Sequence, residues 1–243
     1  MHFKVYGATD IGQRRGNNED AFRYHISKEA SLAVIAVADG VGGSMGGEVA
    51  SDIAVNCLVE GVISALDSAN SQTALLESAF DHANEKLLVK KRQHRELSHM
   101  GTTLVAGIAH GDSLVVGNVG DSRCYKITEE RIDQLTTDHS LVEELKQKGL
   151  TYEGDMPYKN VITRVMGSDD LYQVDLFVQA LLPGDQFLFC SDGLTNFLSK
   201  TEMTTILHSS NDSIAIVDQL IDSADQNGGG DNITAVILKC VEP

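Results

Sequence analysis

The chain has 243 residues with 42% apolar content, which suffices for one well-packed domain, and no shift in composition marks a second. Its net charge of −16 excludes the basic surface that nucleic acid or an anionic membrane requires, so we expect neither as a partner. The N-terminus has no apolar signal segment, and no window approaches the roughly eighteen apolar residues of a membrane span.

The first half of the sequence predicts strands and a pair of helices. Short apolar runs bounded by glycine or polar residues indicate strands, whereas apolar residues spaced three and four apart indicate helices. The predicted elements are a strand over Phe3–Ala8, a polar loop over Thr9–Asn18, a buried strand ending at Asp39, a helix from about Gly46 to Leu66, and a second helix that starts near Ser71 and ends before the basic segment Lys90–Arg95.

The second half returns to strands and closes with further helices. Ser140 and Ser199, each followed three residues later by glutamate, predict capped helices, the first ending at Gly149. The segment from about 150 to 170 has no periodicity, which is typical of functional loops. The remaining predictions are strands over Thr102–Ala109, Ser113–Val119, Arg123–Ile127, Val174–Val178, Asp185–Cys190 and Ile233–Leu238, and a helix from about Asp212 to Gln226. This order favours an α+β fold, a sandwich of two antiparallel sheets flanked by helices.

Several predicted strands end or begin at a carboxylate. Asp39 ends the most apolar strand and is followed by a glycine-rich stretch that leaves the backbone accessible to a ligand. The other carboxylates in such positions are Glu19, Asp20, Asp121, Asp192 and Asp231. Because the end of one antiparallel strand lies beside the start of its neighbour, these groups can share one edge of the sheets, where only bound cations would offset a repulsion of several kcal/mol. Taken alone, Asp39 is equally well explained as a solvated turn residue.

Carboxylates and a glycine carbonyl, without clustered histidine or cysteine, favour hard cations such as Mg²⁺ or Mn²⁺ over zinc. Two such ions about 3.5 to 4 Å apart, bridged by an aspartate and a water, would turn that water or hydroxide into a nucleophile towards phosphorus. Asp39 is the bridging candidate. A guanidinium would hold the phosphate oxygens in fork geometry, and Arg15 lies on the right loop, although Arg14 could serve instead.

Six motifs follow one another along almost the whole chain. They are Arg15-x-x-Asn18-Glu19-Asp20-Ala21, Ala38-Asp39-Gly40-Val41-Gly42-Gly43, Gly101-Thr102-Thr103, Val119-Gly120-Asp121-Ser122-Arg123, Ser191-Asp192-Gly193-Leu194 and Gly230-Asp231-Asn232. Each motif alone is weak, but the ordered set resembles the metal-dependent serine/threonine protein phosphatases, the protein phosphatase 2C family. Asp138-His139-Ser140 and Ile162-Thr163-Arg164 also resemble bacterial members, which are stand-alone catalytic domains of about this length.

The resemblance implies a four-layer sandwich formed by residues 1–243 as one catalytic domain, with a variable flap over about 150–170 beside the active site. It implies two Mn²⁺ or Mg²⁺ ions, with a third, weaker ion in bacterial relatives. The resemblance implies that Asp39 bridges the two metals, that the Gly40 carbonyl, Asp192 and Asp231 bind one of them, and that Glu19 binds the other largely through water. It implies that the third ion is bound by Asp121 with Asp192. It also implies that Asp20 orients metal-bound waters, that Arg15 binds the phosphate, and that Asn232 supports the Asp231 loop.

The sequence departs from the family at one position. Eukaryotic members often place a histidine, a proposed general acid, where this chain has Val41, so a metal-bound water or another group must protonate the leaving group. His139 is one candidate, but its place before a capped helix favours a structural role. Ser122 and Ser191 have no adjacent base or elbow motif, which argues against a covalent mechanism.

The resemblance implies a protein-serine/threonine phosphatase that acts on phosphorylated proteins in signalling and opposes a cognate kinase. An inactive phosphopeptide-binding module would be expected to lose metal ligands, and a nucleotide site would have a Lys-Ser/Thr pair after the glycines, where Glu48 follows instead. A small-molecule phosphoesterase shares the same machinery and stays open. We expect a monomer. We also expect a cytoplasmic protein, because the four cysteines form no CxxC pair and are predicted to be buried, reduced thiols: Cys57, Cys124, Cys190 and Cys240.

Overall fold

The computed structural model describes residues 1–29, 31–42, 46–128, 131–150 and 161–242, and within them two antiparallel sheets pack face to face. The first sheet contains, in spatial order, β1 (His2–Asp10), β11 (Ile233–Val241), β10 (Gln186–Cys190), β7 (Arg123–Ile127) and β8 (Ile132–Gln134). The second contains β2 (Asp20–Ile26), β3 (Leu32–Val41), β5 (Leu104–His110), β6 (Ser113–Val119) and β9 (Asp175–Ala180), and β4 (Gly101–Thr102) also pairs with β3.

Helices cover the outer faces of both sheets. The long helices α1 (Gly46–Ala65) and α2 (Gln72–Gln93) pack on the second sheet. The helices α4 (Asp192–Thr195), α5 (Lys200–Leu207) and α6 (Ser213–Gln226) pack on the first sheet, and α3 (Leu141–Gln147) follows β8 in the chain. These four layers confirm the predicted α+β sandwich flanked by helices.

The apolar core is divided into three layers, and β3 shows how the sequence fills two of them. Side chains alternate between the faces of a strand. Ile35 and Val37 therefore join the layer between the sheets, whereas Val34 and Ala36 join the layer under α1 and α2. Asp39 continues the row of Ile35 and Val37, so the strand directs its terminal carboxylate toward the gap between the two sheets.

Several predicted boundaries were wrong. We expected α2 to end before the basic segment, but it continues through Gln93. Cations in a last turn interact favourably with the helix dipole, and Lys91 Nζ also donates to the Gly167 carbonyl oxygen at 2.5 Å. The short elements β8 and α4 carry too few residues to show a period and were not predicted. Cys57 is only partly buried, whereas the other three cysteines are buried and free, as predicted.

One helix among the described residues, Gly46–Ser68, is long and apolar enough to cross a membrane by length and composition alone. In the fold, its α1 portion buries Ala54, Leu58 and Val62 in the core layer on the second sheet. Burial in the core of the domain explains why this stretch is apolar.

The predicted flap falls partly outside the described residues, which omit 151–160. Its described part is tied to the body of the fold by single β-bridges, one between Ser140 and Ile162 and another between Thr102 and Met166. The second bridge joins this segment to the strand that pairs with Gly40 at the end of β3.

Candidate metal centre

Two of the predicted site carboxylates face each other across neighbouring strands. In the antiparallel pair of β2 and β3, Asp20 lies directly opposite Asp39. Directly opposite residues direct their side chains to the same face of a sheet. The pairing therefore places both carboxylates in the gap between the sheets, where Asp20 is only 8% exposed.

The first sheet brings two more carboxylates to the same gap. Asp192 is the first residue of α4 and lies two residues after β10, and Asp231 lies two residues before β11. Since β10 and β11 are antiparallel neighbours, the end of one lies beside the start of the other. Gly193 makes this approach possible, because a Cβ atom there would lie 1.9 Å from the Asn232 carbonyl oxygen.

Thr103 holds the backbone of Asp39 and joins it to the loop of Asp121. Its hydroxyl accepts from the Asp39 N–H at 2.9 Å and lies 2.7 Å from the Ser122 hydroxyl. The Thr103 N–H in turn donates to the Asp39 carbonyl oxygen at 2.9 Å. Thr103 interrupts the predicted strand between β4 and β5. At this break, its hydroxyl and its N–H bind the Asp39 backbone.

Glu19 and the Gly40 backbone meet the N-terminus of α1. A Cβ atom on Gly40 would lie 2.2 Å from the Gly47 carbonyl oxygen, and one on Gly47 would lie 2.8 Å from the Glu19 carboxyl carbon. Only glycine fits at these two positions. Burial raises the pKa of Glu19, and Arg15 opposes that rise.

Asn232 connects the loop that carries Glu19 to the loop that carries Asp231. Its Oδ1 atom accepts from the Glu19 N–H at 2.8 Å, and its Nδ2 atom donates to the carbonyl oxygens of Ile11 and Asn17 at 2.9 and 3.0 Å. The side chain is 4% exposed, so water cannot readily replace these bonds. This agrees with the support of the Asp231 loop that the resemblance implied.

Replacing Asn232 with alanine should lower the free energy of unfolding by about 2 to 4 kcal/mol, because three hydrogen bonds are lost and their backbone partners remain buried. The melting temperature should fall by roughly 5 to 10 °C for a domain of this size. Differential scanning calorimetry tests this. Asn70→Ala is the matched control, since Asn70 is exposed. Equal melting temperatures for both variants would contradict the role given to Asn232.

Burial and mutual repulsion raise the pKa values of the clustered carboxyl groups. Burial has the largest effect on Asp39, whose pKa lies well above its usual range, and Asp20, Asp192 and Asp121 raise it further. Burial likewise raises the pKa values of Asp20 and Asp121 to about 7 each. The pKa of Asp192 is raised by burial and then by the charge of Asp231. The carboxylate charges therefore repel one another unless a cation or a proton neutralises part of the charge.

Asp20 is held by two hydroxyl groups that sequence reasoning did not connect to it. Its Oδ2 atom accepts from the Ser191 and Thr234 hydroxyls, both at 2.7 Å. These bonds oppose the effect of burial on the Asp20 pKa. The only sequence signal for the contact of Ser191 with Asp20 is its position directly before Asp192.

The donor set fits hard cations. Glu19 Oε1, Asp20 Oδ1, Asp121 Oδ1 and Asp192 Oδ1 are buried and accept no hydrogen bond from the described residues. Burying such oxygen atoms without a partner costs free energy unless a ligand binds them. Among the described residues, no group of three or more Asp, Glu, His or Cys side chains is arranged so that it could hold an ion by itself. Mg²⁺ and similar ions keep several waters and use one or two carboxylates each, so a complete cage is not required.

Arg15 lies at the centre, whereas Arg14 makes no hydrogen bond or ion pair with the described residues of the centre. The Arg15 Nη2 atom donates to Asp231 Oδ2 at 2.8 Å, and the Arg15 side chain is 48% exposed. Its remaining N–H groups face no carboxylate at hydrogen-bond distance among the described residues. The arginine therefore reaches the site while keeping donors available for a further ligand.

His139 has the structural role that sequence reasoning favoured. Its Nδ1 atom accepts from the Gly120 N–H at 3.1 Å, and its Nε2 atom lies 3.1 Å from Asp175 Oδ2. Burial lowers its pKa, which favours the neutral ring. With both nitrogens engaged, His139 fixes the loop before Asp121 and is not placed to protonate a leaving group.

Comparison with known proteins shows the family of the chain. The family model described as Protein phosphatase 2C matches residues 12–236. The chain belongs to the protein phosphatase 2C family. It is 38% identical over 236 residues to serine/threonine phosphatase stp of Listeria monocytogenes, covering 95% of this chain and 93% of that protein.

Solved structures of the family share the whole fold. Serine/threonine phosphatase Stp1 from Staphylococcus aureus superposes with a TM-score of 0.88 at 32% identity, covering 100% of this chain and 96% of that one. The catalytic domain of the phosphatase PstP, in complex with two manganese ions, gives 0.84 at 29% identity over 99% of each chain. The predicted family, fold class and enzyme class are confirmed: the chain is a protein-serine/threonine phosphatase whose catalysis depends on metal.

Proposed function

We propose that the carboxylate cluster of this phosphatase holds two Mn²⁺ or Mg²⁺ ions and hydrolyses phosphoserine and phosphothreonine in proteins. The observation that supports this most strongly is the convergence of buried carboxylates from both sheets, four of which keep an oxygen without a partner. When bound, the ions would neutralise charge on the phosphoryl group and activate water as the nucleophile. The proposed ligands are Asp39 for both ions, the Gly40 carbonyl, Asp192 and Asp231 for one, and Glu19 for the other.

A third ion, which the family resemblance implied, would use Asp121 and Asp192. Asp121 supports this by its burial, its partnerless Oδ1 atom and the interaction of its charge with that of Asp192. Hard cations accept such paired carboxylates in partly hydrated sites. Whether two or three ions bind per chain is measured by metal analysis after equilibrium dialysis against Mn²⁺.

The protein's own residues position the reactants. The Ser191 and Thr234 hydroxyls occupy Asp20 Oδ2, so the buried Oδ1 atom is left to orient water beside Asp39. Arg15 would leave Asp231 and bind the phosphate oxygens in fork geometry. Val41 stands where the resemblance implied a histidine in eukaryotic members, and both nitrogens of His139 are engaged. Water is therefore the proposed source of the leaving-group proton.

Replacing Arg15 with alanine should raise KM for a phosphothreonine peptide by about 10-fold or more, because a charge-assisted hydrogen bond to phosphate contributes about 1.5 to 3 kcal/mol. The kcat should fall only modestly, as expected for a residue that binds the ground state and the transition state alike. Steady-state kinetics measures both constants. Arg14→Ala is the matched control on the same loop and should leave KM unchanged; a larger effect there would transfer the role to Arg14.

The expected substrates are phosphorylated proteins, including those of a cognate serine/threonine kinase. We propose that the protein is a monomer in the cytoplasm. We also propose that residues 1–243 form one catalytic domain with a flap over about 150–170. The test compares phosphothreonine peptides with a chromogenic aryl phosphate, in Mn²⁺ and in chelator. Hydrolysis of both only in Mn²⁺ would support a protein phosphatase. Turnover of the aryl ester alone would favour a small-molecule phosphoesterase.

A further inference from the structure

A cavity of about 260 Å³ opens beside the candidate metal centre. Asp121, Asp192 and Asn196 form its inner wall, and Val142, Glu143 and Lys146 of α3 form its outer wall. Asp121 and Asp192 belong both to this wall and to the proposed metal centre, so the cavity adjoins the proposed reaction site. A substrate group that enters this cavity would therefore lie close in the substrate to the phosphate being cleaved.

The base of the cavity offers no free charge. Arg123 Nε donates to both carboxylate oxygens of Asp138 at 3.0 Å, and Arg123 Nη1 donates to the Tyr125 hydroxyl at 3.2 Å. The Arg123 and Asp138 side chains are 27% and 12% exposed. A partly buried pair with this many hydrogen bonds is a fixed, neutral part of the wall.

Glu143 is the acidic group of the outer wall that can accept a hydrogen bond from a ligand. Its side chain is 26% exposed, and its Oε2 atom accepts from Lys146 Nζ at 3.1 Å. Lys146 is 70% exposed and lies one turn further along α3. A solvated pair at this spacing contributes only a few tenths of a kcal/mol, so another cation can replace Lys146 at low cost.

We propose that this cavity is the subsite for a lysine or arginine that flanks the phosphorylated residue of the substrate, with Glu143 accepting from its cationic end. This inference rests on the proposed phosphoprotein phosphatase activity. The side-chain methylenes would pack on Val142 while the charge reaches Glu143. An acidic flanking residue would instead approach the like charge of Glu143, which repels it.

The position of the basic residue relative to the phosphate should matter. An extended peptide advances about 3.3 Å per residue, and successive side chains point to opposite sides. The cavity lies on one side of the metal centre, so a single flanking position should carry the preference. This distinguishes a built subsite from a general attraction of the acidic protein for basic peptides.

The test uses phosphothreonine peptides that carry lysine or glutamate at one flanking position at a time, with kcat/KM measured in Mn²⁺. At one position, the wild-type protein should prefer lysine over glutamate by about five-fold, the upper range for a solvated ion pair. Glu143→Gln should reduce this ratio to about one, and Glu143→Lys should invert it. Glu144→Lys is the matched control, because it makes the same charge change on the same helix without lining the cavity, and should alter the ratio by less than about two-fold.

Thermal unfolding checks that all three variants fold, and Glu143→Gln keeps the shape of the side chain. A wild-type ratio near one at every position, or an unchanged ratio in Glu143→Gln, would overturn the subsite while leaving the phosphatase activity intact. If the wild-type protein hydrolyses an aryl phosphate in Mn²⁺ but neither peptide, the proposed phosphoprotein activity fails and the subsite fails with it.

Discussion

Replacing Asp192 with alanine is expected to lower kcat for a phosphothreonine peptide by about 1,000-fold or more while the protein stays folded. Asp192 is a proposed ligand of one catalytic ion and of the third, and metal stabilisation of a phosphoryl transition state amounts to several kcal/mol. A loss of about 4 kcal/mol corresponds to three orders of magnitude in rate. Steady-state kinetics at saturating Mn²⁺ gives the value.

The fold should survive because Asp192 lies at the end of the sandwich, next to carboxylates that repel it. Its charge raises the pKa values of Asp39 and Asp121, so its removal relieves repulsion in the absence of metal. In chelator at pH 8, the melting temperature of Asp192→Ala should equal or exceed that of the wild type. Asp222→Ala, an exposed aspartate, is the control for both activity and melting. A variant that fails to fold would identify Asp192 as a structural residue.

The stability of the protein in chelator is expected to fall as the pH rises from about 4 to about 7. In the unfolded chain, aspartate loses its proton near pH 4, whereas folded Asp20 and Asp121 keep theirs until about pH 7. The folded state therefore binds more protons across this range, and the free energy of unfolding decreases with rising pH. Each pH unit by which a pKa is raised corresponds to about 1.4 kcal/mol, so the total is several kcal/mol.

Mn²⁺ should reverse this dependence, because carboxylates bind the ion only when deprotonated and a ligand that binds the folded state stabilises it. The melting temperature difference between Mn²⁺ and chelator should grow between about pH 5 and pH 8. Thermal unfolding across this range measures it. Asp121→Asn should flatten the slope in chelator, and Asp222→Asn should not. A stability in chelator that rises with pH would contradict the buried, protonated cluster.

Local sequence patterns were sufficient to predict much of the fold. The helix of Asp212–Gln226, the capping box at Ser199 and the long strand through Asp39 all follow from spacing and caps, and the structure contains them. The recurrence of carboxylates at strand ends predicted that they would meet at one edge. Antiparallel pairing brings such carboxylates to one edge whatever the exact register, because their meeting depends mainly on strand direction.

The contacts between the sheets could not be predicted in the same way. The Asp20 bonds to Ser191 and Thr234 join residues more than 170 positions apart, and they depend on how the two sheets are stacked. No local pattern encodes that stacking. Likewise, only the folded loop shows that Arg15 reaches Asp231. The end of α2 was misplaced because its basic residues suggested a loop, whereas tertiary contacts such as Lys91 with Gly167 support a helix.

The most direct test of the metal centre is the amount of Mn²⁺ bound per chain after equilibrium dialysis, measured alongside hydrolysis of a phosphothreonine peptide, for the wild type and for Asp39→Asn. Asp39 is the proposed shared ligand, so its replacement should remove at least one bound ion and almost all turnover, and chelator should abolish wild-type turnover. Equal Mn²⁺ binding by the two proteins, or full hydrolysis in chelator, would contradict the proposed centre.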